Sequence, residues 1–314
     1  MAEALVSSQA SLSSPALTAQ RAPRANINAS QWRNALFIAP YLFFFVTMLV
    51  FPLIWGIWLS FHKADTFGVG KFVGLANYAR LFGDKIFLQS VGNTFYFVLL
   101  TVPALALLGL FLALALNRQT RSAAFLRAAF FSSSVLSVTI VTLIWRIVFI
   151  PDFGLLATIY GWFDAPAPAF LSSPDLSMIA IAIATIWWCV GLPMMLFLSA
   201  LQQIPGEIYE AAALDNANRW QTFRSITLPS IKRTFILVLL IQVVMQFQLF
   251  GQARLMTQGG PNNTSKPIVM YIYDVAFKRW DLGMGAAASE VLFVLILIAA
   301  MAQFVLTRRR GENG

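Results

Sequence analysis

Six stretches of the chain, approximately residues 36–60, 91–116, 125–150, 177–201, 231–253 and 285–307, are apolar almost throughout, while the connections between them collect the charged side chains. They do not show the half-polar period of a helix lying on a soluble core. Each is long enough to cross a hydrocarbon layer of ~30 Å as an α-helix. Pro52, Pro103 and Pro193 fall inside these runs, which membrane helices tolerate because neighbouring groups satisfy the freed backbone. The pattern predicts an all-α polytopic fold of six spans. Along the chain it divides into a flexible tail (1–30), a first span with its outer loop (31–90), a core (91–308) containing a long loop (202–230), and a short C-terminal tail (309–314).

Composition supports the same class. Of 314 residues, 59% are hydrophobic and 11% charged, and the mean hydropathy is +0.72. A soluble domain of this length buries only about three quarters of its unfolded surface, too little to hide so much apolar material. The net charge of +9 is scattered between apolar runs and not gathered into a stripe, so nucleic acid is not the partner it implies. Membrane lipid is. Cys189 is the single cysteine and His62 the single histidine, which leaves no metal cluster and no intramolecular disulfide.

The basic residues also orient the chain. Thirteen lie at one side, namely Arg21, Arg24, Arg33, Arg118, Arg121, Arg127, Arg219, Arg224, Lys232, Arg233 and Arg308 to Arg310, against eight at the other, and the connection 151–176 has none. The richer side is the expected cytoplasmic one, with both termini on it.

The connection 202–230 is the most informative segment. After Pro205, acidic Glu207 and Glu210 occupy the first turns of a predicted helix, where its dipole favours them. A second short helix with Trp220, Phe223 and Ile226 follows, and Pro229 leads into span five. Within this loop Glu210-Ala211-Ala212, Asp215-Asn216-Ala217 and Ile226-Thr227-Leu228-Pro229 stand at the spacing of the Glu-Ala-Ala loop that marks the inner-membrane permeases of binding-protein-dependent ABC importers, which the chain resembles. It departs from that pattern at Asn216, where the family has glycine; Asn tolerates left-handed backbone better than most residues. Further matches point to the maltose and glycerol-3-phosphate type. They are Phe72 to Tyr78, Asn93-Thr94, Ser132 to Ser137, Met256 to Pro261 and Ala286 to Ser289, in order over residues 33–308.

The resemblance implies a type I importer permease. It would form half of a sugar pathway, paired with a second permease, two ATPase subunits that hold ATP and Mg, and an extracytoplasmic solute-binding protein. It implies coupling to the ATPases through Glu210, Ala211, Ala212, Asp215, Asn216, Ala217, Leu228 and Pro229. Gly70-Lys71 is no phosphate loop, since it lacks the upstream glycine and the following Ser or Thr. No cofactor is expected on this chain, and no catalytic constellation is visible.

Gln242 and Gln246, four residues apart, share a helical face. Read from the residues alone, they are either interhelical hydrogen-bond glue or part of a polar lining. The resemblance places Gln242, Met245 and Gln246 on the solute pathway, facing Trp188, Cys189 and Leu192 of span four. Arg146 and Glu290 sit at similar predicted depth near the outer ends of spans three and six, and ionisable groups there are costly unless paired. They are expected to pair, as a static pin or an outer gate. The rival readings are an ion-coupled secondary transporter, disfavoured by the lack of membrane carboxylates other than Glu290, and a membrane enzyme or scaffold.

Overall fold

The computed structural model describes residues 29–309, with side chains from Phe37 to Val305; the rest of the two tails, with Arg21, Arg24 and Arg310, lies outside the described residues. The chain divides into two compact units, Met1–Pro52 and Leu53–Gly314.

Helix α1 (Ala29–Phe45) passes through a π-helical turn at Val46–Val50 into α2 (Phe51–Ser60), giving an unbroken apolar span from Phe37 to Ser60. The next connection is not helical. Strands β1 (His62–Asp65) and β2 (Gly68–Phe72) pair antiparallel, a departure from the all-helical expectation. Three glycines in seven residues cannot sustain a helix here, and Asp65 Oδ1 accepts from Phe67 N at 2.9 Å to close the turn. Helix α3 (Ala76–Gly83) follows. Its buried Asn77 donates to the Ser60 and His62 carbonyls at 2.8 and 2.9 Å, and Tyr78 meets the Ser60 hydroxyl at 2.8 Å. The Phe72 to Tyr78 motif therefore clamps the end of the first span.

Helix α4 (Lys85–Ala115), capped by Asp84, is the second span and the central one. At Gly109 it runs so close to the fourth span that a Cβ would lie 2.6 Å from the Pro193 Cβ. Small residues allow this approach where lipid gives no hydrophobic driving force between helices.

The other runs are less regular than their hydropathy. The third span is a pair, α5 (Arg121–Ser133) and α6 (Val138–Val148), bent by 98°. Its cause is in the serines. Ser132 and Ser133 bond back to the Ala129 and Phe130 carbonyls at 2.8 Å each, and Ser137 caps the new helix by accepting from Ile140 N. Helix α7 (Leu155–Gly161) is a short piece in the following connection. The fourth span bends by 43° between α8 (Ser177–Cys189) and α9 (Gly191–Gln202).

The loop after it holds α10 (Gly206–Leu214), α11 (Arg219–Thr222), a π-helical turn at Phe223–Thr227 and α12 (Leu228–Ser230). A 64° bend then leads into α13 (Lys232–Gln246), the fifth span. That helix stops at Gln246, short of the predicted 253; residues 247–250 are irregular before α14 (Gly251–Met256). Helix α15 (Ile268–Tyr273), a π-helical turn at Asp274–Lys278 and the last span, α16 (Leu282–Arg309), complete the chain.

Alternation of direction puts the connections after spans one, three and five at one end, here the hairpin end, and the 202–230 loop at the other. At the hairpin end, residues 257–267 are fastened to α4. Asn93 Nδ2 donates to the Asn263 and Lys266 carbonyls at 2.7 and 3.0 Å, and the Thr94 hydroxyl accepts from Ile268 N at 2.9 Å. Lys266 and Asp274 pair at 2.8 Å with side chains only 11% and 12% exposed, and Lys278 joins the same carboxylate at 2.6 Å.

Candidate functional site

Three backbone breaks meet around one cavity of about 450 Å³: the α5/α6 turn, the α8/α9 bend and the irregular stretch between α13 and α14. Phe131 and Ser134 come from the first; Trp188, Cys189 and Leu192 from the second; Gln242, Met245, Gln246, Gln248, Leu249 and Gln252 from the third. All six residues expected on a solute pathway thus share one lining. Irregular backbone at membrane depth is tolerated where it lines such a space, because freed polar groups find partners there.

Local packing sets each side chain. Trp188 points its indole edge at the Leu136 carbonyl, 3.1 Å away, while Ser134 donates to the Trp188 carbonyl at 3.0 Å. Gly191 allows this contact, since a Cβ there would lie 2.8 Å from both Ser134 Oγ and the Phe130 carbonyl. On α13, Gln246 Nε2 donates to Gln242 Oε1 at 3.0 Å, and Gln246 also meets the Cys189 thiol. Gln242 and Gln246 are 1% and 4% exposed. Among the described residues no acceptor takes the Gln242 Nε2–H groups. Gln252 reaches Thr185 Oγ1 at 3.4 Å. The lining offers amides, a hydroxyl and an indole face but no charge, a set that suits hydroxyl groups and C–H surfaces.

The 202–230 loop is a self-supporting helical hairpin. Helix α10 ends in a Schellman arrangement: Asn216 N bonds the Ala213 carbonyl at 3.1 Å, Ala217 N bonds the Ala212 carbonyl at 2.9 Å, and Asn216 takes φ of 56°. Asparagine supplies the left-handed residue that this closure needs. Asn218 and Gln221 then form a reciprocal capping box, each bonding the other's backbone at 2.9 and 2.8 Å. Tyr209 Oη ties the arms together at the Thr227 hydroxyl, 3.1 Å away. Ala212 is buried inside the hairpin, whereas Glu210, Ala211, Asp215, Leu228 and Pro229 are exposed and Ala217 partly so. Leu214 and Trp220 stand 84% and 66% exposed, an apolar surface that none of the described residues covers.

Residues 68–312 match the family described as binding-protein-dependent transport system inner membrane component. The chain belongs to this family. The permease is 31% identical over 277 residues to a probable starch degradation products transport system permease protein of Thermoanaerobacterium thermosulfurigenes, covering 88% of this chain and 94% of that one. It is 32% identical over 279 residues to a multiple sugar-binding transport system permease protein of Streptococcus mutans, covering 88% and 96%. In fold it is similar to a chain of a bacterial ABC transporter involved in import of the acidic polysaccharide alginate, with a TM-score of 0.78, 22% identity and coverage of 89% and 96%. It is thus a multi-pass inner-membrane permease of an ABC importer.

Reading the sequence left Phe131, Ser134, Gln248, Leu249 and Gln252 out of the lining. Gln252 and the Ser132 to Ser134 run were the available signals, being polar groups in apolar runs. The expected Arg146–Glu290 pair does not form. Among the described residues the ion pairs are Arg80–Asp281, Lys266–Asp274, Lys278–Asp274 and Arg279–Asp84. Glu290 lies against Gly56, where a Cβ would be 3.2 Å from its Oε1, while Arg146 borders a separate cavity beside Ser172. Similar depth did not imply a shared face.

Proposed function

We propose that the permease forms half of the pathway for a sugar or sugar-like solute, with the uncharged cavity as its contact site. The observation that supports this most directly is the convergence of Ser134, Trp188, Gln242 and Gln246, from three broken spans, on one lining. The names of its relatives refer to starch degradation products, multiple sugars and, for a 31% identical protein of Thermococcus litoralis, trehalose and maltose. A second permease subunit covers the side where Phe131 and Met245 stay exposed, and an extracytoplasmic binding protein delivers the solute at the hairpin end. Both termini and the hairpin of α10 and α11 lie in the cytoplasm, on the side with thirteen basic residues against eight. There Glu210, Ala211, Leu214 and Asp215 dock on one of two ATPase subunits, which carry the ATP and Mg.

The test is uptake of neutral oligosaccharides by the reconstituted transporter carrying Gln242→Leu and Gln246→Leu together. A neutral hydrogen bond contributes ~0.5–1.5 kcal/mol, so losing the two amides should lower uptake about tenfold with ATPase assembly intact. Unchanged uptake would leave the pair as glue within the bundle and sink the assignment.

A further inference from the structure

Arg146 is the only Lys or Arg between Arg127 and Arg219. It stands exposed in the last turn of α6, and among the described residues it makes no ion pair; Asp152, Asp164 and Asp175 of the following connection are exposed and make none either. Beside it is a second cavity, about 380 Å³, walled by Leu143, Ile147, Pro151 and Leu171, where the Ser172 hydroxyl is the one other polar side chain. Toward the start of α6 this cavity continues into an exposed apolar stripe of Ile140, Leu143, Ile144 and Ile147. At the same end of the spans, Trp162 and Phe163 are 75% and 77% exposed. Clustered exposed aromatics mark the headgroup level of a bilayer, and an arginine reaches that level while its methylenes stay among apolar groups.

We propose that this cavity holds the headgroup of an anionic phospholipid in the outer leaflet. The phosphate takes the Arg146 guanidinium and the Ser172 hydroxyl, and an acyl chain lies along the α6 stripe. A guanidinium matches phosphate with two parallel N–H bonds, and an uncompensated cation beside an apolar groove selects a ligand that is anionic at one end and hydrocarbon at the other. Free phosphate leaves the stripe empty. This assignment rests on the orientation given above but not on the identity of the solute.

Native mass spectrometry of the solubilised transporter, with phosphatidylglycerol or phosphatidylcholine added at equal concentration, tests it. The wild type should retain phosphatidylglycerol about fivefold better. Arg146→Gln should erase that preference while leaving phosphatidylcholine retention unchanged, which reports an intact apolar face, and Arg146→Lys should keep part of it. Should Arg146→Gln fail to assemble, Ser172→Ala on its exposed turn must show the same loss in smaller degree. Equal retention of both lipids by the wild type, an unaltered preference in the variants, or displacement by excess inorganic phosphate overturns the proposal. So does a cross-link from Ile147→Cys to another chain of the complex, because the groove is then a protein interface.

Discussion

At the hairpin end, the 257–281 connection is held by the Lys266–Asp274–Lys278 cluster and by the Asn93 and Thr94 bonds to its backbone. The cavity does the reverse, keeping Gln242 donors uncommitted beside an indole and a thiol. A saturated polar network holds one geometry, because any displacement strands a buried group. Amides with capacity left over can accept a guest and release it. Polar residues therefore fix an element in one place and leave bonding capacity in the other.

The contrast can be broken most forcefully at the cluster. Lys266→Met takes from Asp274 its one buried partner, and should lower stability by ~3 kcal/mol, seen as a drop in the melting temperature of the purified permease. Adding Asp274→Leu should recover much of the loss, since removing both charges is far cheaper than stranding one. The cavity glutamines differ here: the Gln242→Leu, Gln246→Leu protein should melt close to the wild type. If it melts as low as Lys266→Met, the two regions are alike and the distinction fails.

Acid sharpens the same comparison. Burial works to raise the Asp274 pKa, but hydrogen bonds and charge from Lys266 and Lys278 outweigh it and hold the carboxyl below its usual range. Asp84 is likewise lowered: burial opposes, and the Tyr271 hydroxyl, the Ile86 and Phe87 backbone and Arg279 prevail. A depressed folded pKa means stability that is complete above the unfolded value of about 3.9 and is lost as pH falls through the folded one. The melting temperature should stay level from about pH 7 to 5 and fall below about pH 4, less steeply in Asp274→Asn. The cavity, with no carboxylate, should contribute nothing to that slope. The smallest effect belongs to the hairpin of α10 and α11: Asn216→Gly relieves a left-handed asparagine and should raise stability by less than ~1 kcal/mol, with uptake unchanged.

Hydropathy made the six spans legible because a membrane helix is apolar on its lipid side as well as its packed side, as in Phe37 to Ser60, where most of the large apolar side chains are exposed. Interruptions were harder to see. A run of apolar residues has the same composition whether straight or bent, so the 98° turn at Ser134 to Ser137 left only its serines as a trace. Gln242 and Gln246 were placed together by helical spacing, and Asn216 by its tolerance of left-handed backbone. Ala212, expected on a docking face, is buried, because the Schellman closure at the end of α10 folds it inward. Depth along a helix is readable from position, but the direction a residue faces depends on packing between helices, which is where the Arg146–Glu290 expectation failed.

The eleven residues around the cavity include no carboxylate, ammonium or guanidinium. That has an electrical consequence. Moving one elementary charge through a membrane potential of 100 mV involves ~2.3 kcal/mol. A lining without fixed charge carries none through that field, so these eleven side chains add no voltage dependence to a rearrangement of the cavity.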